Sequence, residues 1–203
     1  MKAIQSNDRG DLNPIPLAVM STSSLAWLVY GIIVQDPYVT LSNIGGTIAS
    51  MGYIVGLLPL LASASSSSSS SQDQNHNNNT NLVLLRQTQY VLMAGVSMSL
   101  LLWTYLGLTV MGVAPPFVLS IKEVGSVLGI FASILFILLS ASPLSTIRTV
   151  ITTKSSKSIL GPFMIAQCLN TSLWTMYGLA IKNKFVWGPN SVVRFILGRL
   201  FDV

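Results

Sequence analysis

Trp27-Leu28-Val29-Tyr30-Gly31 and Trp174-Thr175-Met176-Tyr177-Gly178 share one pattern. In each stretch an Asn follows Gly after eleven residues, at Asn43 and at Asn190. The offset between the two copies is a constant 147 residues (Trp27 to Trp174). An internal repeat of this kind outranks any local signal, because it describes a protein built from two equivalent units that can form a site between them.

Around these stretches the sequence is of membrane grade. Charged residues make up 8% of the 203, hydrophobic residues 51%, and mean hydropathy is +0.64. Soluble domains carry roughly 25% charged residues, so this composition reads as a multi-pass membrane protein in contact with a lipid bilayer. The net charge of +5 calls for no nucleic acid, because no basic cluster is interleaved with aromatics. Cys168 stands alone, so no intrachain disulfide exists. The N-terminus, with Lys2, Asp8, Arg9 and Asp11, is too polar for a secretory signal.

Stretches of about 20 apolar residues predict six transmembrane helices. They fall at Pro14 to Val34, Tyr38 to Ala62, Arg86 to Met111, Lys122 to Ile147, Ser158 to Ile181 and Phe185 to Val203. Residues 1–62 form a first repeat of two helices, 63–85 a Ser/Asn-rich disordered loop, 86–113 a linker helix and 122–203 a second repeat of three helices. Lys2, Arg9, Arg86, Arg148, Lys154, Lys157 and Arg199 fall on one side of the membrane, and Lys122, Lys182 and Lys184 on the other. That asymmetry predicts cytosolic termini and a cytosolic Ser/Asn loop. On this topology Asn78-Asn79-Thr80 would escape glycosylation.

Carried backwards, the repeat exposes a gap. Subtracting the offset from the helix at Lys122 to Ile147 places its counterpart upstream of Met1. The first copy is therefore expected to lack its first helix, leaving six helices of seven. An odd linker helix gives two parallel three-helix repeats in an all-α membrane fold.

Several motifs occur in order: Asn13-Pro14-Ile15-Pro16, Asn43-Ile44-Gly45-Gly46, Ser142-Pro143-Leu144-Ser145, Lys154-Ser155-Ser156-Lys157-Ser158, Gly161-Pro162-Phe163 and Pro189-Asn190. With the two Trp-Tyr-Gly stretches, this order resembles the SWEET family of eukaryotic sugar facilitators (MtN3/saliva type). The resemblance covers nearly all of the chain outside the Ser/Asn run. It implies facilitative, bidirectional transport of mono- or disaccharides by alternating access, with no cofactor.

The repeated residues suit such a substrate. A sugar presents apolar C–H faces and a ring of hydroxyls, which call for an aromatic platform and neutral amides. The resemblance assigns substrate binding to Trp27, Asn43, Trp174 and Asn190, the two pairs facing each other in a two-fold pocket. Two other readings stay open: interfacial belt residues for the tryptophans, and interhelical hydrogen bonding or a helix start for the asparagines. Tyr30 and Tyr177 read as belt or packing residues. By the same resemblance Pro143 and Pro162, with Pro16 or the neighbouring Pro14, are hinge prolines. Proline is also common at helix first turns.

Absences narrow the mechanism. No Asp, Glu or His falls in the middle of any expected span, so an acidic proton relay or metal site has no residues to build it. No nucleophile, base and acid set or phosphate loop suggests an enzyme. Arg194 is the exception in the last span; it either snorkels, faces water, or marks a degraded helix. Two alternatives accompany the sugar reading. One is a related lysosomal-type amino-acid carrier, whose Pro-Gln dipeptides are absent here. The other is a non-transporting membrane subunit that joins a homo- or hetero-oligomer. The sequence leaves a plasma-membrane or endomembrane location open.

Overall fold

Apolar stretches too long for a soluble core fold here, among the described residues, into six helices. The structure, a computed structural model, describes residues 15–66, 72–114, 119–153 and 160–201. The helices are α1 (Ile15–Ile33), α2 (Pro37–Ser66), α3 (Gln72–Val110), α4 (Ile121–Thr153), α5 (Leu160–Ala180) and α6 (Lys184–Phe201). No strand occurs among the described residues. Two compact units divide the chain, Met1–Val124 and Gly125–Val203.

Within the described residues Ile15–Ile33, Leu82–Val110 and Ile121–Ser140 are long and apolar enough to cross a bilayer. At 1.5 Å per residue, 19 residues span about 28 Å, close to the hydrocarbon thickness. Outward faces are greasy. Leu41, Ile48 and Val55 of α2 lie seven residues apart and are all exposed, a stripe that only lipid or another apolar surface covers.

In the first unit α1 packs against both α2 and α3. Its buried face is made of small and hydroxylic residues, among them Ala18, Ser21, Thr22, Ser23 and Ala26. Small side chains let backbones approach, which is how helices associate in lipid. The Ser21 and Thr22 hydroxyls donate to the carbonyls of Leu17 and Ala18 one turn back, each at 3.1 Å. These side chains are thus satisfied inside their own helix and need no polar partner across the interface.

Helix ends follow from local chemistry. Gly112 takes a left-handed φ of 71° after α3, with Val113 N–H donating to Leu108 O at 2.9 Å, a Schellman ending. Ser120 and Glu123 form a capping box at the start of α4: Ser120 N–H donates to Glu123 Oε2 at 2.8 Å, and Glu123 N–H to Ser120 Oγ at 3.3 Å.

The Ser/Asn-rich stretch departs from the expected loop over 63–85. Helix α2 continues to Ser66 and α3 already begins at Gln72, ahead of the linker start expected at residue 86. The flanking apolar turns have already borne the cost of nucleation. Adding a Ser or Asn to an existing helix then costs only about 0.7 kcal/mol or less, and the run contains no Pro or Gly.

Candidate functional site

The repeated Trp-Tyr-Gly and Asn residues sit on helical hairpins, α1–α2 and α5–α6, built alike in atomic detail. Gln35 and Lys182 close the first helix of each hairpin with left-handed φ of 57° and 54°. Behind them Asp36 N–H donates to Gly31 O and Asn183 N–H to Gly178 O, both at 2.8 Å. Asp36 and Asn183 then cap the next helix. Asp36 Oδ1 accepts from the N–H of Tyr38 and Val39, and Asn183 Oδ1 accepts from Phe185 N–H, all at 3.1 Å. These residues are related by the same sequence offset, and only the Val39 bond differs, its counterpart Val186 N–H donating to Asn183 O.

The glycine of each motif is required by this turn. A Cβ on Gly31 would lie 2.9 Å from Thr40 N, and one on Gly178 would lie 2.5 Å from Trp187 N. The aromatic residues pack as edge-to-face pairs. Trp27 and Tyr30 have ring centroids 5.5 Å apart at 89°, Trp174 and Tyr177 5.7 Å apart at 84°. Tyr30 is buried, which settles it as a packing residue and not an interfacial belt residue.

Hairpin register places Trp and Asn together within each repeat. In the first, Gly31 lies against Thr40 and Gly46 against Ser24, so Trp27 on α1 falls level with Asn43 on α2. The equivalent approach of Gly178 to Trp187 sets Trp174 level with Asn190. Both pairs lie nearly two helical turns from the closed end of their hairpin. Trp27 is buried and Trp174 half-buried, while Asn43 is half-buried and Asn190 buried.

Both asparagines are held the same way. Asn43 Nδ2 donates to Val39 O and Asn190 Nδ2 to Val186 O, each at 2.8 Å. A carbonyl only accepts, so the amide nitrogen is the atom that must face it. What each amide has left to offer is its oxygen. Asn190 Oδ1 is fully buried and has no hydrogen-bond partner, a condition that costs about 1–3 kcal/mol. Helix α6 starts six residues before Asn190, so Asn190 is not a helix-start residue.

The expected hinge prolines occupy different positions. Pro16 and Pro162 lie in the first turns of α1 and α5, where the missing N–H breaks no helical bond. Pro143 lies inside α4, where one such bond is absent. The surroundings of the Pro143 and Pro162 side chains lie outside the described residues. Sequence reading gave no hinge role to Pro189, which is buried inside α6 next to Asn190.

Arg194 is exposed on α6. Its counterpart in the first repeat is Thr47, buried, with Oγ1 donating to Asn43 O at 2.8 Å. Arg194→Leu is therefore expected to favour bilayer insertion of the α6 segment by about 3 kcal/mol, read by glycosylation mapping of insertion in microsomes. No gain would show that Arg194 already rests in water.

Among the described residues no group of three or more His, Cys, Asp or Glu side chains is placed to hold a metal ion. Apolar hairpins with an indole and a half-satisfied amide at one level suit a neutral polyhydroxylated ligand. Known proteins point the same way. Residues 126–199 match the family model described as "Sugar efflux transporter for intercellular exchange". The sugar transporter SWEET1 of Danio rerio is 27% identical over 204 residues, covering 97% of this chain and 78% of that protein. The bidirectional sugar transporter SWEET9 of Arabidopsis thaliana is 46% identical over 63 residues, 31% of this chain and 22% of its own. The fold matches a 3.7 Å structure of a eukaryotic SWEET transporter with TM-score 0.61 and 18% identity, covering 99% of this chain and 82% of that one. In motif order, duplicated hairpins and fold the chain is similar to SWEET sugar transporters, and residues 126–199 match their family model.

Proposed function

We propose that this protein carries mono- or disaccharides across a membrane by uncoupled, bidirectional alternating access, with a cytosolic C-terminus. Trp27 and Asn43 in the first repeat, and Trp174 and Asn190 in the second, are the substrate-binding residues. Pro16, Pro143 and Pro162 serve as hinges. The single observation that carries this reading is the buried, unpartnered oxygen of Asn190, on a hairpin whose sister carries Asn43 at the equivalent level. An amide oxygen accepts, so it selects a ligand that donates. Sugar hydroxyls donate, as does the ammonium of an amino acid. A zwitterion also calls for charged partners, and α1, α2 and α5 contain none, which favours a neutral sugar over an amino acid.

Uncoupled transport is supported by the charge distribution. Helices α1, α2 and α5 contain no Asp, Glu, Lys, Arg or His, and a coupled proton or cation site normally uses such residues. The test is uptake of radiolabelled glucose and sucrose by transporter-deficient cells expressing the chain, with its amount in the membrane measured. Saturable uptake and efflux, unchanged by a protonophore, are expected. Absence of flux for both sugars would overturn the reading, and protonophore sensitivity would overturn its uncoupled form.

A further inference from the structure

Among the described residues two buried side-chain polar atoms have no hydrogen-bond partner, Asn190 Oδ1 and Trp103 Nε1. The first is an acceptor and the second a donor. Trp103 lies on α3, half-buried as a residue but with its Nε1 fully enclosed. A buried indole N–H usually finds an acceptor, because an unpaired donor has lost its hydration for nothing. The Ser99 hydroxyl, one turn back on α3, donates to Gly95 O at 2.8 Å and does not meet the indole.

Helix register places this donor near the Trp27 and Asn43 pair of the first repeat. Helix α3 packs against both α1 and α2, and a Cβ on Gly95 would lie 2.6 Å from Thr22 Oγ1, so Gly95 and Thr22 are level. Short connections make successive helices antiparallel, so α1 and α3 run the same way. Trp27 stands five residues beyond Thr22, and Trp103 eight beyond Gly95. At 1.5 Å per residue the two tryptophans are offset by about 4.5 Å along the helices, less than one turn. Ser99 and Leu106, one turn to either side of Trp103, are both buried, which puts Trp103 on the face of α3 turned to the hairpin.

We propose that Trp103 is a substrate-contact residue of the first repeat, its indole N–H donating to a hydroxyl oxygen of the bound sugar. This deepens the sugar reading above and rests on it. Sugar hydroxyls donate and accept at once. Asn43 and Asn190 turn their nitrogens to backbone carbonyls and leave oxygens, which only accept, for the ligand. An indole N–H only donates, so it supplies the polarity that the amides lack. A sugar that gives one hydroxyl proton to Asn43 Oδ1 and turns a neighbouring oxygen to Trp103 Nε1 pairs both groups.

The experiment compares uptake of glucose with that of its deoxy and deoxyfluoro analogues, by the full chain and by Trp103→Phe in transporter-deficient cells, alongside thermal unfolding of the purified proteins. Fluorine in place of a hydroxyl still accepts weakly but cannot donate, whereas hydrogen in its place does neither. At the hydroxyl that Trp103 meets, the fluoro analogue is expected to show a KM about two-fold or more below that of the deoxy one. Trp103→Phe is expected to erase that difference and to raise KM for glucose about three- to ten-fold, the worth of one hydrogen bond. A second variant carrying benzothienylalanine at this position, which keeps the two-ring shape without the N–H, is expected to do the same with Tm of the sugar-free protein unchanged or raised. An unchanged KM and an unchanged fluoro-to-deoxy difference in both variants would overturn the proposal. So would a lowered sugar-free Tm in the benzothienylalanine variant, which would give the N–H a partner within the fold. Glucose uptake by the parent confines such a failure to Trp103; no sugar uptake by the parent would sink the sugar reading and this assignment together.

Discussion

Asn190→Leu is expected to raise the melting temperature of the sugar-free protein while sharply weakening sugar transport. Asn190 is buried and its Oδ1 has no partner. A buried acceptor left unpaired costs about 1–3 kcal/mol, and an apolar residue of similar volume removes that cost. The bond that the substitution also deletes, from Nδ2 to Val186 O, goes to a carbonyl already served by the helix backbone, so little is lost with it. For a chain of this length the gain corresponds to a rise of about 2–12 °C. The same substitution removes the acceptor offered to the sugar, so affinity is expected to fall about ten-fold or more. Thermal unfolding in detergent and uptake in cells, at matched membrane abundance, give the two readings. An interhelical tether behaves oppositely. A lowered Tm with transport retained would assign Asn190 to helix association and remove it from the binding site.

Gly178→Ala is expected to destabilise the second hairpin by about 3 kcal/mol, the upper part of the usual range for overpacking. The added methyl would meet Trp187 N at 2.5 Å, Cβ at 2.9 Å and Cα at 3.0 Å. Two of these atoms are backbone, so relief requires α5 and α6 to part at their closed end, carrying Trp174 away from Asn190. A fall in Tm of about 6–12 °C is expected, with loss of transport. Gly188→Ala is the control, because a Cβ there meets nothing within 4 Å. In a helix interior that exchange is expected to be neutral or to stabilise by up to about 1 kcal/mol. Equal Tm values for the two variants would show that the hairpin end tolerates separation, and with it that the Trp and Asn level is not fixed by the glycine.

Much of this arrangement is legible from residues alone, because membrane helices announce themselves by length and hydropathy. Five of the six helices begin within two residues of their expected starts. The exception is α3, which reaches back to Gln72 because extension of a nucleated helix is decided by small propensity differences and not by composition. The turns were less visible. Gln35 and Lys182 adopt left-handed backbone without glycine, and their only sequence signal is the offset that relates them. Asp36 and Asn183 as caps are readable in hindsight, since both residue types favour that position. The approach of Ser133 Oγ to Phe185 O at 3.3 Å carried no sequence signal, because the two residues lie on separate helices.

The sequence by itself determined the class, the duplication, and the identity of the repeated Trp, Tyr, Gly and Asn, since hydropathy and a fixed offset are properties of the chain as a string. Only the tertiary structure decided how those residues are placed. Helix register brought Trp27 level with Asn43 and Trp174 level with Asn190, and packing closed the hairpins on Gly31 and Gly178. The geometry also turned each asparagine's nitrogen to a backbone carbonyl. An amide has both a donor and an acceptor end, and which one faces outward depends on the neighbour it meets in space.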